Sequence, residues 1–266
     1  LHFLKTVKYL FYAIGLILAS LFYLYPQVFY THTLCLSDFE RVDGDIYVSK
    51  HLEGPLKKQI TTVVTDSQHR VGALFGQYQS HPRIVVCATE SEYKRYCNSN
   101  VGAGCSVGTP WGLHFVVVHL QGINTDVMSH EMSHIELLER LGWWTVLVDV
   151  PQWFNEGLAL MVDRRFVKST NPVRRYRGYR REWRQYAREL GWLLPLAQLE
   201  GMSAFTSPDP DRVMYAYMTS GKEVSRWQIE SGPFALTKLI QKIKSGIPFA
   251  EAYEQVSSEA ADRIDF

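Results

Sequence analysis

The most apolar segment comes first. Tyr9 to Tyr25 reads YLFYAIGLILASLFYLY, seventeen residues without a charge, with Lys5 and Lys8 just ahead of it. A run of this kind is a membrane-spanning helix at the short end of the range, or the apolar core of a signal sequence. Tyr9, Phe11 and Tyr12 at its start and Phe22, Tyr23 and Tyr25 at its end match an interfacial aromatic belt. The leading lysines predict a cytoplasmic N-terminus and an extracytoplasmic remainder. A cut after Ser20 would place Leu18 where a small residue is wanted. The expectation is therefore a single-pass anchor over residues 1–27 and a domain over residues 28–266. The alternatives are a domain secreted after cleavage and an ordinary buried helix.

Beyond the run the period of the pattern changes repeatedly. Within residues 36–51, the turn Asp43-Gly44-Asp45 precedes a short strand, Ile46-Tyr47-Val48. Leu56, Ile60, Val63 and Val64 repeat at helical spacing over residues 52–66. RIVVCA, residues 83–88, is a compact β run, and Thr89 to Tyr96 is a helix with Thr89 and Glu92 spaced as a capping box. Residues 98–112 read as a Gly-rich loop. HFVVVHL, His114 to Leu120, is the clearest strand; it runs beside the helix that follows it, where an extended peptide is expected to pair edge to edge. It leads into a helix started by Asn124, Thr125 and Asp126, filled by Val127, Met128, Ile135, Leu137 and Leu138, and ended by Gly142. PQWFNEGLALMVD, Pro151 to Asp163, is a second apolar helix. Tyr176, Tyr179, Trp183, Tyr186 and Leu190 form a core-facing stripe on a third. A loop at Pro208 to Pro210 leads to helices over Met214–Gln241 and Pro248–Val256.

Composition adds little to this picture. The 266 residues are 46% apolar and 21% charged, with a net charge of +1, which suits a globular domain and gives no global reason to expect nucleic acid. The local exception is Arg164 to Arg188, with ten Lys or Arg opposed only by Glu182. It is a solvated helix face, or a contact for anionic lipid, polysaccharide or an acidic substrate. The four cysteines allow three pairings outside the cytoplasm. Cys97 and Cys105 bracket a loop suited to a staple, which leaves Cys35 with Cys87; four plain thiols are the cytoplasmic alternative.

The candidate chemistry sits on the middle helix, at His130-Glu131-Met132-Ser133-His134. Histidines four apart project from one helix face, and two imidazoles so placed can bind one Zn²⁺. Glu131 points about 100° round the helix, where it can reach a metal-held water as general base without being a ligand. A buried histidine pair without a metal would need other polar partners. Glu156 lies inside an apolar segment, where an unpaired carboxylate is costly; read alone it is a ligand or a solvated glutamate at a helix start, and read with the histidine pair it is the best candidate for a third ligand. Asp163, two helical turns on, either orients a ligand histidine or is the exposed end of that helix. His114 and His119 are expected as strand or loop histidines. Gly104-Cys105-Ser106-Val107-Gly108 matches a nucleophile elbow in letters only, because an elbow needs a strand before it and a helix after it.

HEMSH followed after twenty-one residues by Glu156 in WFNEGLA resembles the gluzincin superfamily, the thermolysin-like zinc metallopeptidases, in a small bacterial membrane-anchored form. DVMSHEMSH is similar to the thermolysin zinc helix, and PQWFNEGLALM to the segment that carries the glutamate ligand. The likeness is close over residues 83–163 and loose elsewhere. It implies an α+β fold with a mixed sheet beside the active-site helix and a helical C-terminal part. It implies His130, His134 and Glu156 as zinc ligands and Glu131 as base. VMYAYMTS, Val213 to Ser220, resembles the helix whose tyrosine steadies the oxyanion, which makes Tyr217 the candidate and Tyr215 the runner-up. The expected function is zinc-dependent hydrolysis of peptide or protein substrates. The alternatives are a catalytically silent, membrane-tethered binding module on the same fold, and a zinc hydrolase acting on another bond.

Overall fold

A computed structural model describes residues 2–99 and 102–264, so Asn100 of the expected stapled loop lies outside it. The first half of the chain alternates helix and strand: α1 (His2–Leu24), α2 (Pro26–His32), β1 (Phe39–Asp43), β2 (Ile46–Ser49), α3 (Gly54–Phe75), β3 (Arg83–Cys87), α4 (Glu90–Cys97), β4 (Gly104–Gly108) and β5 (His114–His119). The second half is helical: α5 (Thr125–Leu141), α6 (Trp143–Val148), α7 (Gln152–Ala159), α8 (Pro172–Leu190), α9 (Pro210–Ser231), α10 (Ala235–Lys244) and α11 (Phe249–Ile264). The fold is α+β.

The strands form one mixed sheet in the order β1-β2-β3-β5-β4. β2, β3 and β5 are parallel; β1 and β4 are antiparallel to their neighbours at the two edges. β3 and β5 are covered on both faces, which is why RIVVC and HFVVVH read as unbroken apolar runs. Ile84, Val86, Val116 and Val118 share a core with α3 and α5. Val85, Val117, Phe115 and Cys87 turn the other way and pack with Tyr93 and Tyr96 of α4 and with Leu34. The two-residue period of the strands thus sends alternate side chains into two cores.

α3 runs well beyond the expected residues 52–66, burying Ile60, Val63, Val64, Val71 and Phe75 against α5 before Gly76 ends it at φ 88°. Thr89 caps α4 as expected, accepting from the Glu92 N–H while Glu92 reaches back to the Thr89 N–H. The expected loop over residues 98–112 is the largest error in that region. Its second half is β4, whose glycines and Ser106 hide a strand signal that only pairing with β5 supplies. β5 is consequently an inner strand, and the free edge belongs to β4. Ser106 lies mid-strand opposite Val116, with no elbow around it.

Cys97 and Cys105 are disulfide-bonded, which ties the end of α4 to β4. The pairing of Cys35 with Cys87 is not made: Cys35 is exposed, whereas Cys87 is buried in the sheet. In the helical half, Gly232 at φ 83° divides the expected Met214–Gln241 helix into α9 and α10. α8 carries the basic stretch, with Tyr179 buried on its inner face and Arg177, Arg180, Arg181, Arg184 and Arg188 lining a cavity on its outer side. α1 is long and apolar enough to cross a membrane or to serve as a signal sequence, and none of the described side chains of Val7–Leu24 is buried.

Candidate metal centre

α5 is fixed at its start by Asn124, whose side-chain oxygen accepts from the backbone N–H groups of Asp126 and Val127 at 3.1 and 3.0 Å. From Val127 to Leu137 every residue is buried. A helix enclosed on all sides has to account for each polar side chain it carries. Glu136 is accounted for by the backbone N–H of Ser80 at 2.9 Å, that of Gln79 at 3.1 Å and Nε of Arg140 at 2.7 Å. That leaves Ser129, His130, Glu131, Ser133 and His134, of which the two histidines face α7.

α7 brings Glu156 to them. Its Oε2 lies 3.3 Å from Nε2 of His130 and 3.7 Å from Nε2 of His134, and the three atoms lie within 4.8 Å of one another. Ligands on one tetrahedral ion, with bonds of about 2.0 Å, stand ~3.3 Å apart. The two Glu156 oxygens have different surroundings. Oε1 accepts from Nε2 of Gln152 at 2.7 Å, while Oε2 is buried without a hydrogen-bond donor. A buried carboxylate oxygen left open beside two imidazoles fits a cation, and the two-nitrogen, one-oxygen donor set fits zinc.

The far side of each imidazole is also held. Nδ1 of His134 is 2.9 Å from Oδ1 of Asn155. Nδ1 of His130 is 3.3 Å from Oδ2 of Asp163. An oxygen behind Nδ1 favours a proton there and turns the lone pair of Nε2 toward the shared point. Asp163 is in turn clamped by Arg165, whose Nε lies 3.0 Å from both carboxylate oxygens and whose Nη2 lies 2.6 Å from Oδ2. α7 ends at Ala159, so Asp163 reaches His130 from the turn after the helix and not from a shared helix face. It is fully buried, which excludes the exposed-end reading.

The charges of the site separate by position. Burial alone would lower the His130 imidazole, but the Asp163 and Glu156 carboxylates override it and raise it to about 10. Burial would raise Asp163, yet His130 and Arg165 draw it down to about 2. Glu156 is likewise lowered, because His134 and His130 outweigh its burial. Glu131 moves the other way: burial raises it, and the two histidines only partly oppose the shift. Of these three carboxylates, Glu131 alone is biased toward holding a proton, which suits a group that accepts one and gives it back.

Tyr217 of α9 has its ring 6.4 Å from the His130 ring. Burial, with Glu156 and Glu131 nearby, raises its phenol and keeps it a donor. Tyr215 is not brought to the site: its hydroxyl donates to the Trp192 carbonyl at 3.2 Å and lies within the core. His114 and His119 are on β5, His114 near Glu139 and His119 against Tyr93. Asn155, Gln152 and Arg165 were missed by the motif reading. Gln152 had a signal, being one helical turn before Glu156 on the same face. The roles of Asn155 and Arg165 depend on how α7 docks against α5, and no spacing encodes that.

β4 completes the surroundings. It runs along α5 with Gly104 against Val127 and Glu131 and Gly108 against Leu138. A Cβ at Gly104 would stand 2.9 Å from Cγ of Glu131, so the free edge of the sheet passes directly beside the candidate base. No known protein-family model matches this chain, and no curated protein matches it in sequence.

Proposed function

We propose that the protein is a zinc-dependent metallopeptidase of the thermolysin-like type, with His130, His134 and Glu156 as ligands and Glu131 as general base. The observation that carries this reading is the convergence of two Nε2 atoms and one open carboxylate oxygen on a buried point, with Glu131 beside it and not part of it. Bound there, a divalent ion supplies Lewis acidity, lowering the pKa of a water and polarising a carbonyl.

The chain's own residues do the rest. Asp163 and Asn155 keep the two imidazoles aimed. An extended peptide pairs with the free edge of β4, which sets its carbonyl beside Glu131. Glu131 accepts the proton of the attacking water as the new C–O bond forms. It returns that proton to the amine as the C–N bond breaks. The Tyr217 hydroxyl donates to the developing oxyanion.

Glu131→Gln separates binding from chemistry. The variant should keep the metal content of the parent and lose roughly 10²–10⁴-fold in peptide cleavage. Cleavage of a peptide library that survives this substitution, or that ignores a chelator, would refute the assignment.

A further inference from the structure

We infer that the end of the domain from which α1 emerges rests on the lipid bilayer, seated by an uncharged apolar face built from α2, the β4–β5 turn and α6. The three segments are far apart in sequence and touch in the fold. Nε1 of Trp111, in the β4–β5 turn, donates to Nε2 of His32 on α2 at 2.9 Å. On the other side of the same hairpin, Nε1 of Trp143 on α6 donates to the Gly108 carbonyl at 3.1 Å. α2 continues from α1, and Phe22 of α1 packs edge-on against Phe29 of α2, with ring centroids 5.0 Å apart.

What the three segments present is apolar and open. Phe29 is 50% exposed, Trp111 60%, Trp144 66%, Leu147 62% and Val148 77%. Residues 25–37, 109–113 and 142–148 contain no Asp, Glu, Lys or Arg. Segments that carry no charge of their own and expose large apolar side chains, tryptophans among them, are expensive to leave in water, and the flanking Arg95 and Asp149 sit as charges do at a lipid headgroup boundary. The occupant of this face follows from where it lies, because it adjoins the end of the helix whose length and composition suit a bilayer. The cationic outer side of α8 is the competing candidate, and it would call for anionic lipid instead.

The tryptophans make the test direct, since none of the seven lies in α1. The full chain is reconstituted in phosphatidylcholine vesicles carrying bromine at known depths on the acyl chains, and tryptophan emission is recorded. Quenching is expected, stronger for bromines near the headgroups than for those near the chain ends. It should be largely lost in the W111F/W144F double variant, whose substitutions are at exposed positions and conservative. Absence of quenching in the unaltered chain would overturn the proposal. So would quenching left undiminished by both substitutions, because it would then arise away from this face, as at Trp183 or Trp192 on and just after α8, whereas Trp143 beside Trp144 leaves only a reduced remainder. The measurement needs neither metal nor catalysis, so its failure is separate from failure of the peptidase reading.

Discussion

At the scale of single residues, the site is a set of buried polar groups held from behind, with Oε2 of Glu156 left open. Glu156 offers one oxygen because Gln152 holds the other. His130 and His134 offer Nε2 because Asp163 and Asn155 stand behind Nδ1. The histidine pair and Glu156 were legible as a cluster, because helical spacing alone puts His130 and His134 on one face and a carboxylate among apolar neighbours asks for a partner. Asp163 was legible as a residue and not as a geometry, since α7 stops before it. Gly104 makes a sharper residue-scale prediction. A methyl there collides with Glu131 and with Val127, each 2.9 Å from it, and relieving such overpacking costs about 1–3 kcal/mol. Gly104→Ala should therefore depress peptide cleavage roughly tenfold or more while metal content is unchanged. Unaltered cleavage would mean that β4 does not constrain the base.

At the scale of elements, the close approach of α7 to α9 decides where Glu156 stands. Gly157 follows Glu156 directly, and a Cβ there would meet Val224 at 2.5 Å and the Ser220 carbonyl oxygen at 2.7 Å. The second contact is backbone, so the helices themselves must part. Gly157→Ala should lower Tm by several degrees, on the scale of roughly 2–4 °C per kcal/mol, and weaken metal retention because Glu156 moves with α7. Gly201→Ala, at a glycine facing open space, is the matched control and should change neither. A Gly157 variant as stable and as metal-retentive as the control would contradict this account. Elements with a strong period of their own were readable: α5, β5, the Thr89 cap and the stripe of α8. β4 was not, because its residues have little strand preference apart from their neighbour. The need for glycine at position 157 was not readable either, since it belongs to the contact with α9 and not to α7.

At the scale of the whole molecule, one buried point joins α5, which packs on the sheet, to α7 of the helical half. Protons and metal compete for that point. Without metal, His130 keeps a proton between Asp163 and Glu156, its pKa raised from 6.5 to about 10. A raised imidazole stabilises the metal-free fold fully below pH 6.5, and that contribution is lost as pH climbs through about 10. Metal needs Nε2 of His130, the nitrogen facing Glu156, deprotonated, so its affinity rises over the same interval. The gap in Tm between metal-loaded and metal-free protein should therefore widen with rising pH. Paired thermal melts across that range test this, and a constant gap would show that His130 is not the titrating ligand.

The free edge of β4 has one more consequence. Unsatisfied backbone donors and acceptors attract any extended chain, including a second copy of this one. Here the exposed ladder is five residues, about 17 Å, bounded by glycine at each end and pinned near its start by a disulfide. Such a rail can grip a short stretch of polypeptide, yet offers too little length to propagate stacking from molecule to molecule.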